Sequence, residues 1–294
     1  PILAADVAAG TAVYYTPYTG VLVPIYNGSS FAPTTFAELT LTLVASHTAS
    51  TLYDVFVFSN SSVVTLATGP AWSVSTAGSG ARGTGAGTTQ ITRVGGLWVN
   101  AVSMTGRNGS STYTIAANQG TYLGTIAMDG TNGQLSCSGI TYGQNRKWGV
   151  WNAYNRVPIF IKCGDTTASW APQGSLGVSN NSTNNKITPT VGLPEEFLDC
   201  TFTQEVALSI AATSAIQLGI GFDSTTVASG RTTIVGAALS GGQTITVADW
   251  TGTARYVAPP SIGIHNIYPL DKLTNSGTVA GGEDDMLLLV TYRG

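Results

Sequence analysis

Leu198-Asp199-Cys200-Thr201-Phe202-Thr203-Gln204-Glu205-Val206-Ala207-Leu208-Ser209-Ile210 alternates. Leu198, Cys200, Phe202, Val206, Leu208 and Ile210 share one parity, interrupted only by Gln204. Asp199, Thr201, Thr203, Glu205 and Ser209 fall between them. A repeat of two is that of a β-strand, whose successive side chains point to opposite faces. Pro194 followed by Glu195-Glu196 would also start a helix well, but the period-two pattern favours a long strand. Ala215–Phe222 continues the alternation, and the two runs are expected to pair as a hairpin around residues 211–214.

Working outward, the same signal recurs. Glu38–Val44 places Leu39, Leu41 and Leu43 on one face. Leu52–Phe58 and Val63–Ala67 are β-rich runs joined by the hairpin-length Ser59-Asn60-Ser61-Ser62. Leu97–Asn100, Thr112–Ile115 and Thr121–Ile126 follow, with an Asn-Gly turn signal at Asn108-Gly109. The last apolar run, Met286–Tyr292, reads as a strand buried on both faces at a sheet centre. Residues 73–90 and 177–188 read as loop insertions, the first flexible unless packed. Residues 1–33, with Tyr14, Tyr15, Tyr18 and Tyr26 among prolines, read as an extended N-terminal arm lying on its own domain or on a neighbour. Many short strands between turns predict an all-β chain: an antiparallel β-sandwich, jelly-roll-like, spanning residues 34–294 as one large domain.

Composition narrows function more than it names one. The 294 residues include 36 Gly, 42 Thr and 26 Ser, and only 9% are charged. With 12 Lys+Arg against 15 Asp+Glu, there is no basic stripe of the kind that nucleic-acid binding requires. No apolar run is long enough for a membrane-spanning helix. The N-terminus lacks a signal-peptide pattern, and Pro1 fits removal of an initiator Met. Cys137, Cys163 and Cys200 are odd in number and far apart, which predicts buried free thiols rather than disulfides or a metal site.

No catalytic constellation is legible, and no cofactor or metal is expected. His47 and His265 could join a Ser-His-Asp relay only in the sense that any serine-rich chain allows one. Glu283-Asp284-Asp285 lacks the spacing of a calcium loop and reads as a solvated turn. The most distinctive stretch is Arg146-Lys147-Trp148-Gly149-Val150-Trp151-Asn152-Ala153-Tyr154-Asn155-Arg156. Its aromatics and arginines fit a protein interface, where Trp, Tyr and Arg are enriched. A core strand and a glycan-stacking surface are the alternatives. The candidate partner-binding residues are therefore Tyr14, Tyr15, Tyr18, Tyr26, Trp148, Trp151, Tyr154 and Arg156.

Leu52–Val57, Gly69-Pro70-Ala71-Trp72, Thr121–Ile126, Val150–Val157 and Gly219–Thr226, in this order, resemble a family of virion structural proteins of tailed bacteriophages, of head-decoration, fibre or tail type. The likeness is spread over residues 12–230. It implies a non-enzymatic particle component, assembled in a bacterial cytoplasm, whose partners are its own copies and a major capsid protein or another virion protein. A decoration or cement role is the leading expectation. A fibre adhesin binding a host surface glycan is the alternative. Lys147, Lys162, Lys186 and Lys272 are the only lysines. Exposed sheet edges usually carry such charges, so the edges are expected to be covered by identical neighbours. Closed symmetry suits that arrangement, and a homotrimer follows by analogy with phage decoration and fibre proteins.

Overall fold

A computed structural model describes residues 3–208, 214–236, 248–275 and 277–294. The decisive alternation is realised as the strand Leu198–Leu208. Leu198, Cys200, Phe202 and Val206 are buried on its inner face. Gln204, the break in the apolar parity, is buried beside them. Its amide nitrogen donates to the carbonyls of Glu205, Ala280 and Asp285. A polar side chain in the core is tolerated when its donors are matched, and here it ties the strand to the 280–285 turn.

Strand makes up 56% of the described residues and helix 1%, so the protein is all-β. Among the described residues the helical segment is the short 3-10 turn Ser179–Asn181. Three large sheets carry the fold. The first runs, in spatial order, Ile91–Val94, Leu97–Asn100, Thr121–Ala127, Leu52–Asn60, Val63–Ala71, Met104–Asn108 and Ser111–Ile115, with Val150–Asn152 also on Thr121–Ala127. The second runs Val7–Gly10, Leu135–Cys137, Arg146–Trp148, Ile187–Val191, Ile267–Thr274, Ser214–Phe222 and Gly230–Gly236. The third runs Pro158–Cys163, Met286–Arg293, Leu198–Leu208, Gly277–Ala280 and Ser169–Trp170, with Ala248–Ala258 also on Leu198–Leu208. Among the described residues pairing is antiparallel apart from Arg146–Trp148 on Ile187–Val191. One apolar core, reaching from Val23 to Tyr292, takes side chains from all three sheets. All three cysteines are buried free thiols.

Several local expectations need correction. Leu198–Leu208 and Ser214–Phe222 do not form a hairpin: they belong to different sheets, and residues 209–213 lie outside the described ones. The final strand, Met286–Arg293, is paired on both sides, but only Met286, Leu288, Val290 and Tyr292 are buried. Leu287 and Leu289, on the opposite face of the strand, are only part-buried. The 177–188 stretch is not simply a loop; Ile187 begins the fully buried strand Ile187–Val191. Of the expected arm, residues 3–33 lie on their own domain. Ala12–Tyr15 pairs with Leu39–Thr42, Leu22–Tyr26 with Phe31–Thr35, and Val23 and Ile25 enter the core.

The glycine-rich stretch 73–90 is packed by one side chain. After the short hairpin Val74–Thr76 and Ser79–Ala81, Arg82 turns into the core. Its Nε donates to Asp54 Oδ2 at 2.6 Å and its Nη2 to Asp54 Oδ1 at 3.1 Å. The same Nη2 reaches the Gly192 carbonyl at 2.8 Å and the Tyr122 phenol at 3.2 Å. Two threonines fill the remaining acceptor sites of the carboxylate: Thr125 Oγ1 donates to Asp54 Oδ1 and Thr89 Oγ1 to Asp54 Oδ2. The guanidinium also lies 4.4 Å from the Trp72 ring centroid. Gly192 has to be glycine, since a Cβ there would strike Trp151 and Tyr122.

Breaking a buried pair strands a charge, which costs far more than replacing both partners. Arg82→Ala should therefore lower stability by about 3–5 kcal/mol, and Asp54→Asn/Arg82→Met should recover a large part of that loss in urea denaturation. Equal losses in the single and double variants would contradict the account.

Asp271 generates a second expectation. It is 2% exposed. Burial pushes its carboxyl up to about 6, against the opposing hydrogen bond from the Trp170 indole. The native state then holds the proton more tightly than the unfolded chain, whose value is near 3.8. This contribution makes stability fall as pH rises from about 4 to about 6. Asp271→Asn should raise stability by roughly 2–3 kcal/mol at pH 8 and by well under 1 kcal/mol at pH 4. A gain that is the same at both pH values would show that ionisation is not the cause.

Candidate functional site: an aromatic and arginine face

Two of the candidate residues of the arm, Tyr14 and Tyr15, meet the 150–152 strand at one cleft. Gly149 separates two short strands, Arg146–Trp148 and Val150–Asn152, which lie in different sheets. The chain crosses between sheets there, so both tryptophans enter the core. Trp148 is 8% exposed and Trp151 2%. These two are corrected from partner-binding to core residues, because neither has a free face to offer. Gly124 permits the close approach: it pairs with Asn152, and a Cβ on it would collide with the Trp151 carbonyl.

Beyond Trp151 the backbone turns outward. The Asn152 side-chain oxygen accepts from the N–H groups of Tyr154 and Asn155, at 2.9 and 3.0 Å. This Asx turn presents Tyr154, which is 47% exposed. The arm strand Ala12–Tyr15 comes alongside, so that Tyr14 and Tyr15 line a cleft together with Trp151 and Asn152. Tyr14 points outward, 61% exposed. Tyr15 is held by a stacked contact with Phe36, ring centroids 4.7 Å apart. Tyr18 is exposed in the connection that follows. Tyr26 packs on Phe31 at 5.1 Å, and Phe31 in turn lies against the Gly95 turn of the Ile91–Asn100 hairpin.

That hairpin supplies residues the sequence reading missed. Arg93 lies over the Trp98 ring, 4.7 Å from its centroid, and donates to Glu195 Oε1 at 3.1 Å. Arg156 lies over Trp151, also at 4.7 Å, and donates to Glu195 Oε2. Burial works to raise the Glu195 carboxyl. The hydrogen bond and charge of Arg156, with the charge of Arg93, outweigh it and hold the group below the ordinary carboxylate value. Glu195 is thus an ion-pair centre, not a helix start. Its signal in the sequence was a carboxylate in a chain with few charges, which requires partners; their identity was not legible.

The face combines exposed aromatic rings with arginines whose charge is already matched. Such a surface loses little water of ionic hydration on contact and presents rigid rings. The other candidate chemistry resolves differently. His265 Nδ1 meets Asp223 Oδ2 at 2.7 Å, but its Nε2 meets the backbone carbonyl of Ser261 at 2.8 Å. A carbonyl oxygen is no nucleophile, so these groups do not form a serine relay. Glu283 pairs with Lys162 at 2.9 Å. Among the described residues no group of three or more His, Cys, Asp or Glu is placed to hold a metal ion. Comparison of the chain with protein-family models, with characterised proteins and with solved structures found no match.

Proposed function

We propose that the chain is a structural component of a tailed-phage particle that works by protein–protein binding through its aromatic and arginine face. The observation that carries the binding role is the convergence of the arm with the 150–156 turn. Tyr14 and Tyr15 of the arm line one cleft with Trp151 and Asn152, and Tyr14 and, in the turn that Asn152 begins, Tyr154 are strongly exposed. Isolated exposed rings are common, but rings fixed at their base lose little entropy on docking. The particle role rests on the resemblance of the five quoted motifs and on the low-charge, Thr- and Gly-rich composition. Capsid decoration is the form we favour, with contacts to the shell and between copies, in a trimer.

Truncating residues 1–33 is a poor test, because it removes Val23 and Ile25 from the core. Point substitutions on the exposed rings avoid that. In analytical ultracentrifugation the purified protein should self-associate at both low and high salt, since the charges of the face are paired internally and little of the contact energy is Coulombic. Tyr14→Ala/Tyr154→Ala should weaken the association by about tenfold or more with an unchanged far-UV spectrum. A protein that stays monomeric at high concentration in both salts would overturn self-assembly. A particle map that places the chain with this face in solvent would overturn the docking role.

A further inference from the structure

We propose that the concavity beside Arg107 binds a carboxylate-bearing sugar. It lies toward the opposite edge of the first sheet from Arg93: the Ile91–Val94 strand is at one end of the strand order and Met104–Asn108 near the other. The cavity measures about 420 Å³, within the range of small-ligand sites. Arg107 lies at its wall, and Ser46, Thr48 and Thr105, each carrying a hydroxyl group, line it too. Among the described residues none of these three hydroxyls makes an internal hydrogen bond, and no carboxylate pairs with Arg107. The Tyr53 phenol accepts from the Thr48 N–H at 2.9 Å and keeps its own proton to donate. The Gly69-Pro70-Ala71 segment supplies an apolar wall.

The arginine is held from below. The Val44 N–H donates to His47 Nδ1 at 3.1 Å, so the ring proton sits on Nε2. His47 Nε2 then donates to Thr68 Oγ1 at 3.1 Å, and Thr68 Oγ1 donates to the Arg107 carbonyl at 3.2 Å. His47 and Thr68 are fully buried. Arg107 is also paired in the sheet on both sides, with Thr68 and with Thr112. Its backbone is therefore fixed while its guanidinium lacks a counter-charge.

The donor set selects the ligand. One planar guanidinium matches one carboxylate in two parallel hydrogen bonds. With no second cation at the wall, a phosphate dianion would be half-neutralised. Three free hydroxyls and a phenol suit the hydroxyl groups of a sugar ring, and a neutral sugar would leave Arg107 unmatched. This inference stands apart from the assembly role and does not need it.

The test titrates the full chain with D-glucuronate, D-glucose and inorganic phosphate, followed by calorimetry and by amide NMR shifts. Glucuronate should bind saturably and move the resonances of residues 46–48 and 105–107. Glucose and phosphate should each bind about tenfold more weakly or less, one unmatched charge pair being worth at least that factor. Arg107→Gln should weaken glucuronate binding by a similar factor without lowering the melting temperature. Should that variant melt early, Arg107→Lys, which keeps the charge but loses the fork, should still show reduced affinity. Tyr14→Ala/Tyr154→Ala should leave glucuronate binding unchanged. No saturable glucuronate binding, equal binding of glucose or phosphate, or undiminished binding in both Arg107 variants would overturn the proposal.

Discussion

The pair Asp54–Arg82 is the constraint on which much of the molecule rests. Both groups are almost wholly removed from water. Two charges so placed are costly unless the geometry is good and their other hydrogen-bonding sites are filled. Here the contact is bidentate, Thr89 and Thr125 serve the carboxylate, and Tyr122 and the Gly192 carbonyl serve the guanidinium. The bond set pulls the 73–90 stretch inward and fastens it to the first sheet and to the segment just after Ile187–Val191 of the second. Glycine gives that stretch a large conformational entropy to lose, and the buried arginine is what offsets it.

The consequences reach the exposed face. Tyr122, bonded to Arg82, stacks near Trp151 with centroids 6.4 Å apart. Trp151 supports Arg156 from beneath, and Arg156 orients Glu195 toward Arg93. A chain of contacts thus runs from the buried ion pair through Tyr122 and Trp151 to Arg156, which flanks the Tyr154 turn.

Charge is scarce in this chain, and most of it is used in pairs. Arg146 meets Asp6, Lys147 meets Asp129, Arg255 meets Asp199 and Lys162 meets Glu283. What remains on the surface is largely hydroxylic, with exposed aromatic rings at Tyr14, Tyr18, Tyr154, Phe160, Phe197 and Trp250. That distribution favours recognition by shape and apolar contact over long-range steering. Arg107 is one of the charges outside these pairs, and it lies at the wall of a cavity.

Much of the fold was legible because β-structure writes its period directly into sequence. The alternation in Leu198–Leu208, the parity of Leu39, Leu41 and Leu43, and the pairing of Leu52–Asn60 with Val63–Ala71 all depend on residues close in the chain. The candidate site was partly legible for a similar reason: Tyr14, Tyr154 and Arg156 are residue types that interfaces favour, in stretches that no strand pattern explained. Period alone is silent on which sheet a strand joins, so Leu198–Leu208 and Ser214–Phe222 read as a hairpin although they lie in different sheets. It is equally silent on which face of an aromatic run is covered, and Trp148 and Trp151 went to the core because Gly149 sends the chain between sheets. Asp54 stood in an apolar run as a lone charge that demanded a partner, but nothing in the order of residues pointed to Arg82 inside a glycine-rich loop. Local patterns set secondary structure because their energies are local. The partners of buried charges, and the meeting of the arm with the 150–156 turn, are set by contacts between residues far apart in the chain, and only the folded arrangement decides those.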